Sequence, residues 1–87
     1  MLKSFIFIVI LLLNFSVMAN DCDKGHWVQK NTSDGEIVTL EDGSTWEIAP
    51  TDRGYTVKWI PGTKITACQA KLINADGGEA AEAIRIK

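Results

Sequence analysis

Eighty-seven residues with nine Lys/Arg against eleven Asp/Glu, a net charge of −2, describe one mildly acidic domain. No basic cluster stands ready to neutralise a phosphate backbone, so nucleic acid is not the expected partner. One histidine and two cysteines leave little for metal or nucleophilic chemistry, and no cofactor and no metal are expected.

The N-terminal segment holds Lys3, the unbroken apolar run Phe5 to Leu13, and then Val17-Met18-Ala19. A basic residue, an apolar stretch of about 10 residues and a small-x-small ending read as a secretory signal peptide, residues 1–19, cleaved after Ala19. Asn14 ends the run well short of the roughly 20 apolar residues that a spanning helix needs, so no stable membrane insertion is expected after cleavage. Asp21, directly before Cys22, argues against lipid attachment. Residues 20–87 are then a single small β domain, periplasmic or secreted.

A domain of this size buries too little surface to be secure without a staple. Cys22 and Cys68 are the only cysteines, and an exported chain meets an oxidising compartment, so a disulfide between them is expected. Closing a loop of this length contributes on the order of 4 kcal/mol in the chain-entropy model. A metal pair or redox couple is the rival reading, but there is no Cys-x-x-Cys and only His26 to assist.

Turn signals follow at Asp34-Gly35, Asp42-Gly43, Arg53-Gly54, Pro61-Gly62 and Asp76-Gly77-Gly78, separated by short runs rich in Val, Ile, Thr and Trp. The pattern predicts an all-β fold: a small antiparallel barrel or sandwich of about five strands, SH3-like or OB-like. Between Glu36 and Ile48 a two-residue Asp42-Gly43 turn would mix polar and apolar groups on each face. A three-residue loop, with Gly43 left-handed, puts Val38 opposite Trp46 and Leu40 opposite Ser44 instead. Val38, Leu40, Trp46 and Ile48 then share one face as structural core.

Pro50 takes the chain off the sheet, and Thr51 to Gly54 reads as a loop or one helical turn. Tyr55 to Trp59 alternates as a strand with Tyr55, Val57 and Trp59 on one side. Lys64 to Ala70 is the next strand, with Ile65 and Ala67 facing one way and Cys68 the other, toward the N-terminal segment. Another strand starts at Lys71. For Glu79 to Lys87, alanines and glutamates favour helix, whereas the preceding turn and the Ile84/Ile86 alternation favour a closing strand, which is the expectation adopted.

The pattern Leu40-Glu41-Asp42-Gly43-Ser44-x-Trp46-x-Ile48-x-Pro50-x-Asp52, then Trp59-x-Pro61-Gly62-x-x-Ile65, resembles a group of small, mostly uncharacterised exported bacterial proteins. The resemblance covers about residues 37–84 and implies a small β-barrel in the bacterial envelope, with no activity to carry over. Such sequences often have an acidic residue soon after the Pro-Gly turn, where this chain has Thr63-Lys64, and Cys22/Cys68 are not part of the pattern.

No catalytic set emerges, and the chain is not expected to be an enzyme. His26 reads as a surface or packing residue, and the acids of Asp21/Asp23, Glu41/Asp42 and Glu79/Glu82 read as turn and solubility chemistry. Asn31-Thr32-Ser33 reads as a loop despite its sequon form. The aromatics are the remaining candidates: Trp46 belongs to the core by its register, while Trp27, Tyr55 and Trp59 are kept as candidate binding residues, Trp59 with a rival core role. The expected function is an exported non-catalytic binding or interaction module. The alternatives are an inhibitor of an envelope or host enzyme of the protease or lysozyme type, inserting Pro50 to Gly54 or Asp76 to Gly78, and glycan binding through exposed aromatics. The partner would accordingly be an envelope or host protein, or a glycan.

Overall fold

The computed structural model describes residues 22–87, so the expected signal peptide and the start of the mature chain lie outside the described residues. The described chain runs β1 (Cys22–Asn31), β2 (Ile37–Leu40), β3 (Thr45–Ile48), a 3-10 turn (Pro50–Asp52), the one-turn helix α1 (Arg53–Thr56), β4 (Lys64–Cys68), β5 (Lys71–Asn74) and β6 (Ala80–Arg85). All neighbours pair antiparallel and the sheet closes on itself in the order β1-β2-β3-β6-β5-β4. The small antiparallel barrel expected from the turn spacing is therefore present, with six strands rather than five. No helix among the described residues is long and apolar enough to cross a membrane.

The strand that the sequence did not announce is β1. Its sequence is polar, and only Val28 is buried, so the side chains carry no alternating signal. Its backbone makes it a strand: the first half pairs with β4 and the second with β2, with register shifts between Asp23 and His26 and between Val28 and Lys30. One bulged strand thus serves both halves of the barrel, which is how a closed sheet turns a corner.

The β2–β3 hairpin has the expected three-residue loop. Val38 faces Trp46 and Thr39 faces Thr45, the Gly43 N–H donates to the Leu40 carbonyl at 3.0 Å, and the Leu40 N–H donates to the Ser44 carbonyl at 2.9 Å. Gly43 sits at φ +88°, the left-handed region that the type I turn plus bulge requires. Val38, Leu40, Trp46 and Ile48 all lie in the buried core.

Residues 55–59 correct the expectation of a strand. Pro50 opens a helical turn, where its missing N–H costs nothing, and the Val57 N–H donates to the Arg53 carbonyl at 3.0 Å. Burial follows a three-residue spacing: Thr56 and Trp59 point inward, while Tyr55 and Val57 are exposed. Five residues are too few to separate the two periods.

The C-terminal segment is the closing strand, as expected, but its faces carry a surprise. Ala81 and Ala83 point inward and Ile84 is 69% exposed. A barrel this small has room for few large side chains, and Trp46, Trp59, Leu40, Ile48, Ile65 and Leu72 occupy it already.

Cys22 and Cys68 are directly opposed on β1 and β4 and form a disulfide, with Cα atoms 4.1 Å apart. Ala67 is partly buried against the core cluster, and Cys68, expected to face away from the core, is itself buried at 7% exposure. Antiparallel order places the start of β1, the β2–β3 turn, the β4–β5 turn and the end of β6 at one end of the barrel. The segment 50–59 closes the other.

Candidate functional site

The end of the barrel beside the disulfide is open. A cavity of about 440 Å³ lies there, with Asp23, His26, Asp42, Gln69 and Arg85 among the polar groups around it and Trp46 and Leu40 in its apolar wall. A barrel mouth of this kind, an apolar floor with a few converging polar groups, is a preferred place for ligands.

The polar groups are held by a connected set of hydrogen bonds. Trp46 is buried, so its indole N–H must find an acceptor, and it donates to Ser44 Oγ at 3.0 Å. Ser44 Oγ donates in turn to Asp42 Oδ1 at 2.7 Å, and the Ser44 N–H reaches the same oxygen at 2.9 Å. Glu41, one residue back, accepts the Trp27 backbone N–H on Oε1 at 3.0 Å. Its other oxygen accepts from His26 Nδ1 at 2.9 Å, which assigns the ring proton to that nitrogen. Asp42 Oδ2 stands 3.9 Å from the same nitrogen.

These donors set the charge state of the acids. The Ser44 hydroxyl and N–H hold the Asp42 carboxyl below the usual carboxylate range, helped by nearby His26 and Arg85 and opposed by partial burial. For Glu41 burial pushes upward, but the Trp27 N–H and His26 outweigh it and the net direction is down. Both acids are therefore ionised at neutral pH, on a rim that also carries Arg85.

Asp42 does serve the turn, through the Ser44 N–H, and Glu41 and Asp42 also meet His26. The fold converges them because β1 runs alongside the β2–β3 turn, a neighbourhood hidden by the polar character of β1. Ser44 and Arg85 were missed for a related reason: the first is a short polar residue after a turn, the second the end of a strand whose inward phase is marked only by alanines. The hydroxyl of Ser44, placed between Trp46 and Asp42, is committed to the network.

The three candidate aromatics are not assembled into one platform. Trp59 is 1% exposed, and its indole N–H donates to Glu79 Oε1 at 3.0 Å. This corrects its binding candidacy, since it is an interior plug. Trp27 and Tyr55 are about half exposed, but on different elements, β1 and α1. Among the other residues singled out, Asn31 donates through Nδ2 to the Thr56 carbonyl at 2.8 Å as the last residue of β1, and the Glu82 N–H donates to Asp52 Oδ2 at 2.9 Å. Asp21 lies outside the described residues.

Compared with protein-family models, with curated proteins and with solved structures, the chain matches none of them.

Proposed function

We propose that the chain is an exported, non-catalytic binding module of the bacterial envelope and that its ligand enters the open barrel mouth. The observation that carries this reading is the cavity of about 440 Å³ whose rim is oriented in advance by the Trp46–Ser44–Asp42 and Trp27–Glu41–His26 hydrogen bonds. Groups already held in place lose little freedom on binding, so more of each contact appears as affinity. The rim carries both signs, Asp23 and Asp42 against Arg85, which suits a small polar ligand or a polar segment of a partner protein.

The export part rests on the signal-like segment 1–19, on the disulfide and on the resemblance to small exported bacterial barrels. The non-catalytic part rests on the commitment of the Ser44 hydroxyl to Asp42, which leaves His26 beside carboxylates rather than beside a nucleophile.

A second reading, inhibition of an envelope or host enzyme, draws on the rigidity of one loop. The N–H groups of Asp76 and Gly77 donate to Asn74 Oδ1 at 3.1 and 3.0 Å, so the exposed Asp76 to Gly78 turn is pre-shaped for insertion. The other loop considered, Pro50 to Gly54, is folded against the closed end.

The test is capture from envelope extract by the oxidised protein on a matrix, run beside Arg85→Glu at the mouth and Lys58→Glu away from it. A component retained by the wild type and Lys58→Glu but lost with Arg85→Glu supports the mouth as the site. Retention indifferent to Arg85→Glu, or no retention, rejects it. Retention lost only on substituting Asp76 supports the inhibitor reading.

A further inference from the structure

His26, Glu41 and Asp42 come from two separate segments, yet each offers a donor atom within 4.8 Å of the others. The pairs built on His26 Nδ1 measure 2.9 Å to Glu41 Oε2 and 3.9 Å to Asp42 Oδ2. In a tetrahedral zinc site with bonds near 2.0 to 2.1 Å, ligand atoms stand about 3.3 Å apart. The observed separations bracket that value, so side-chain adjustments of well under about 1 Å would bring these two pairs to it.

The carboxylates also face the right way. Glu41 Oε1 is held by the Trp27 backbone N–H and Asp42 Oδ1 by both donors of Ser44. Glu41 Oε2 stands nearest the imidazole, Oε1 lies 3.1 Å from the same nitrogen while also accepting the Trp27 N–H, and Asp42 presents Oδ2. Such outer hydrogen bonds orient metal-ligating carboxylates. His26 and Asp42 also line the mouth cavity, which leaves space on one side for further coordination.

We propose that His26 Nδ1, Glu41 Oε2 and Asp42 Oδ2 bind one divalent transition-metal cation of the zinc class, with its remaining coordination positions open to the barrel mouth. The donor set of one imidazole and two carboxylates selects this class over calcium or magnesium, which prefer oxygen alone. On binding, the imidazole takes its other neutral tautomer, the ring proton moving by way of solvent from Nδ1 to Nε2, and the freed Nδ1 lone pair takes the cation. The inference stands apart from the proposed function: the three donors hold the cation whether or not the mouth accepts another ligand.

Calorimetric titration of Zn²⁺ into the tag-free, oxidised, chelator-treated protein tests it. The expected result is one equivalent bound, with affinity falling at least about tenfold in each of His26→Ala, Glu41→Gln and Asp42→Asn and unchanged in Asp76→Asn. Thermal melts verify that each variant is folded. An independent readout uses Trp46, joined to Asp42 through Ser44: Ni²⁺ or Cu²⁺ should quench part of the emission in a Trp27→Phe background, where Trp59 at the closed end is the one other tryptophan, and His26→Ala should abolish the quenching. Absence of stoichiometric binding overturns the proposal, and so does binding that survives His26→Ala in a folded variant.

Discussion

Each end of the barrel holds a tryptophan whose indole N–H leads to an acid, and the two ends use the acid differently. At the closed end Trp59 donates directly to Glu79 Oε1, and Asn74 Nδ2 donates to the same oxygen at 2.7 Å. The carboxylate closes around an interior plug. At the mouth a hydroxyl is interposed, Trp46 to Ser44 to Asp42, and the acid keeps Oδ2 turned to His26. The same pairing is structural where the acid meets the indole itself. Where a serine takes the indole N–H, the acid remains available for something else.

The largest expected effect concerns what holds the mouth. The Cys22–Cys68 bridge spans 46 positions in sequence, and its removal should cost about 4 kcal/mol in the chain-entropy model. For a domain this small that lowers Tm by roughly 15–30 °C. Melts with and without reductant measure it. Coincident melts would mean that strand pairing alone keeps the mouth together.

The closed end should be the less forgiving of the two to substitution. Gly35 has φ +78°, and a Cβ there would lie 2.5 Å from the Arg53 carbonyl oxygen and 2.7 Å from Thr56 Oγ1, which itself donates to the Gly35 carbonyl. Gly35→Ala should therefore cost about 2–3 kcal/mol through strain and clash. Glu41→Gln and Asp42→Asn, on the solvated rim, should each cost under about 1 kcal/mol. Urea unfolding at constant m-value compares them. The reverse ranking would break the distinction between a structural end and an available one.

A smaller effect sharpens the distinction. Trp59→Phe and Trp46→Phe each remove one indole N–H and leave an acceptor short, at a cost of about 1 kcal/mol or somewhat more. Only Trp46→Phe should alter the mouth, because only there does the indole bond lead on to Asp42. A changed chemical shift for the His26 ring nitrogens in Trp46→Phe but not in Trp59→Phe is the expected NMR result.

How far this comparison was legible in advance depended on side-chain phase. Val38, Leu40, Trp46 and Ile48 alternate over a turn with a glycine in the required place, so both the hairpin and its register could be read. The bridge could be read from two cysteines and the expectation of export. Residues 55–59 could not, since Tyr55, Val57 and Trp59 fit an alternating pattern while burial follows Thr56 and Trp59. β1 was hidden because its strand character comes from backbone pairing to two partners. The mouth inherited that gap: without β1 in place, His26 had no reason to be set beside Glu41 and Asp42.

The smallest expected effect is a matter of pH. The indole N–H of Trp59, followed by the Asn74 amide, holds the Glu79 carboxyl below its usual range. A carboxyl whose folded-state value lies below its unfolded one stabilises the fold above the unfolded value, about 4.3 for glutamate, and that contribution is lost as pH falls through the folded-state value. In Glu79→Gln the amide oxygen can still accept from Trp59, so Tm near neutral pH should change little. What disappears is the titration, and the fall in Tm between about pH 5 and pH 3 should become shallower. It should not vanish, because Asp34, lowered by the Glu36 N–H and the Thr32 hydroxyl, titrates in the same direction. Parallel acid limbs in wild type and Glu79→Gln would show that Glu79 does not bind Trp59 preferentially in its charged form, and the direct acid–indole link at the closed end would have to be abandoned.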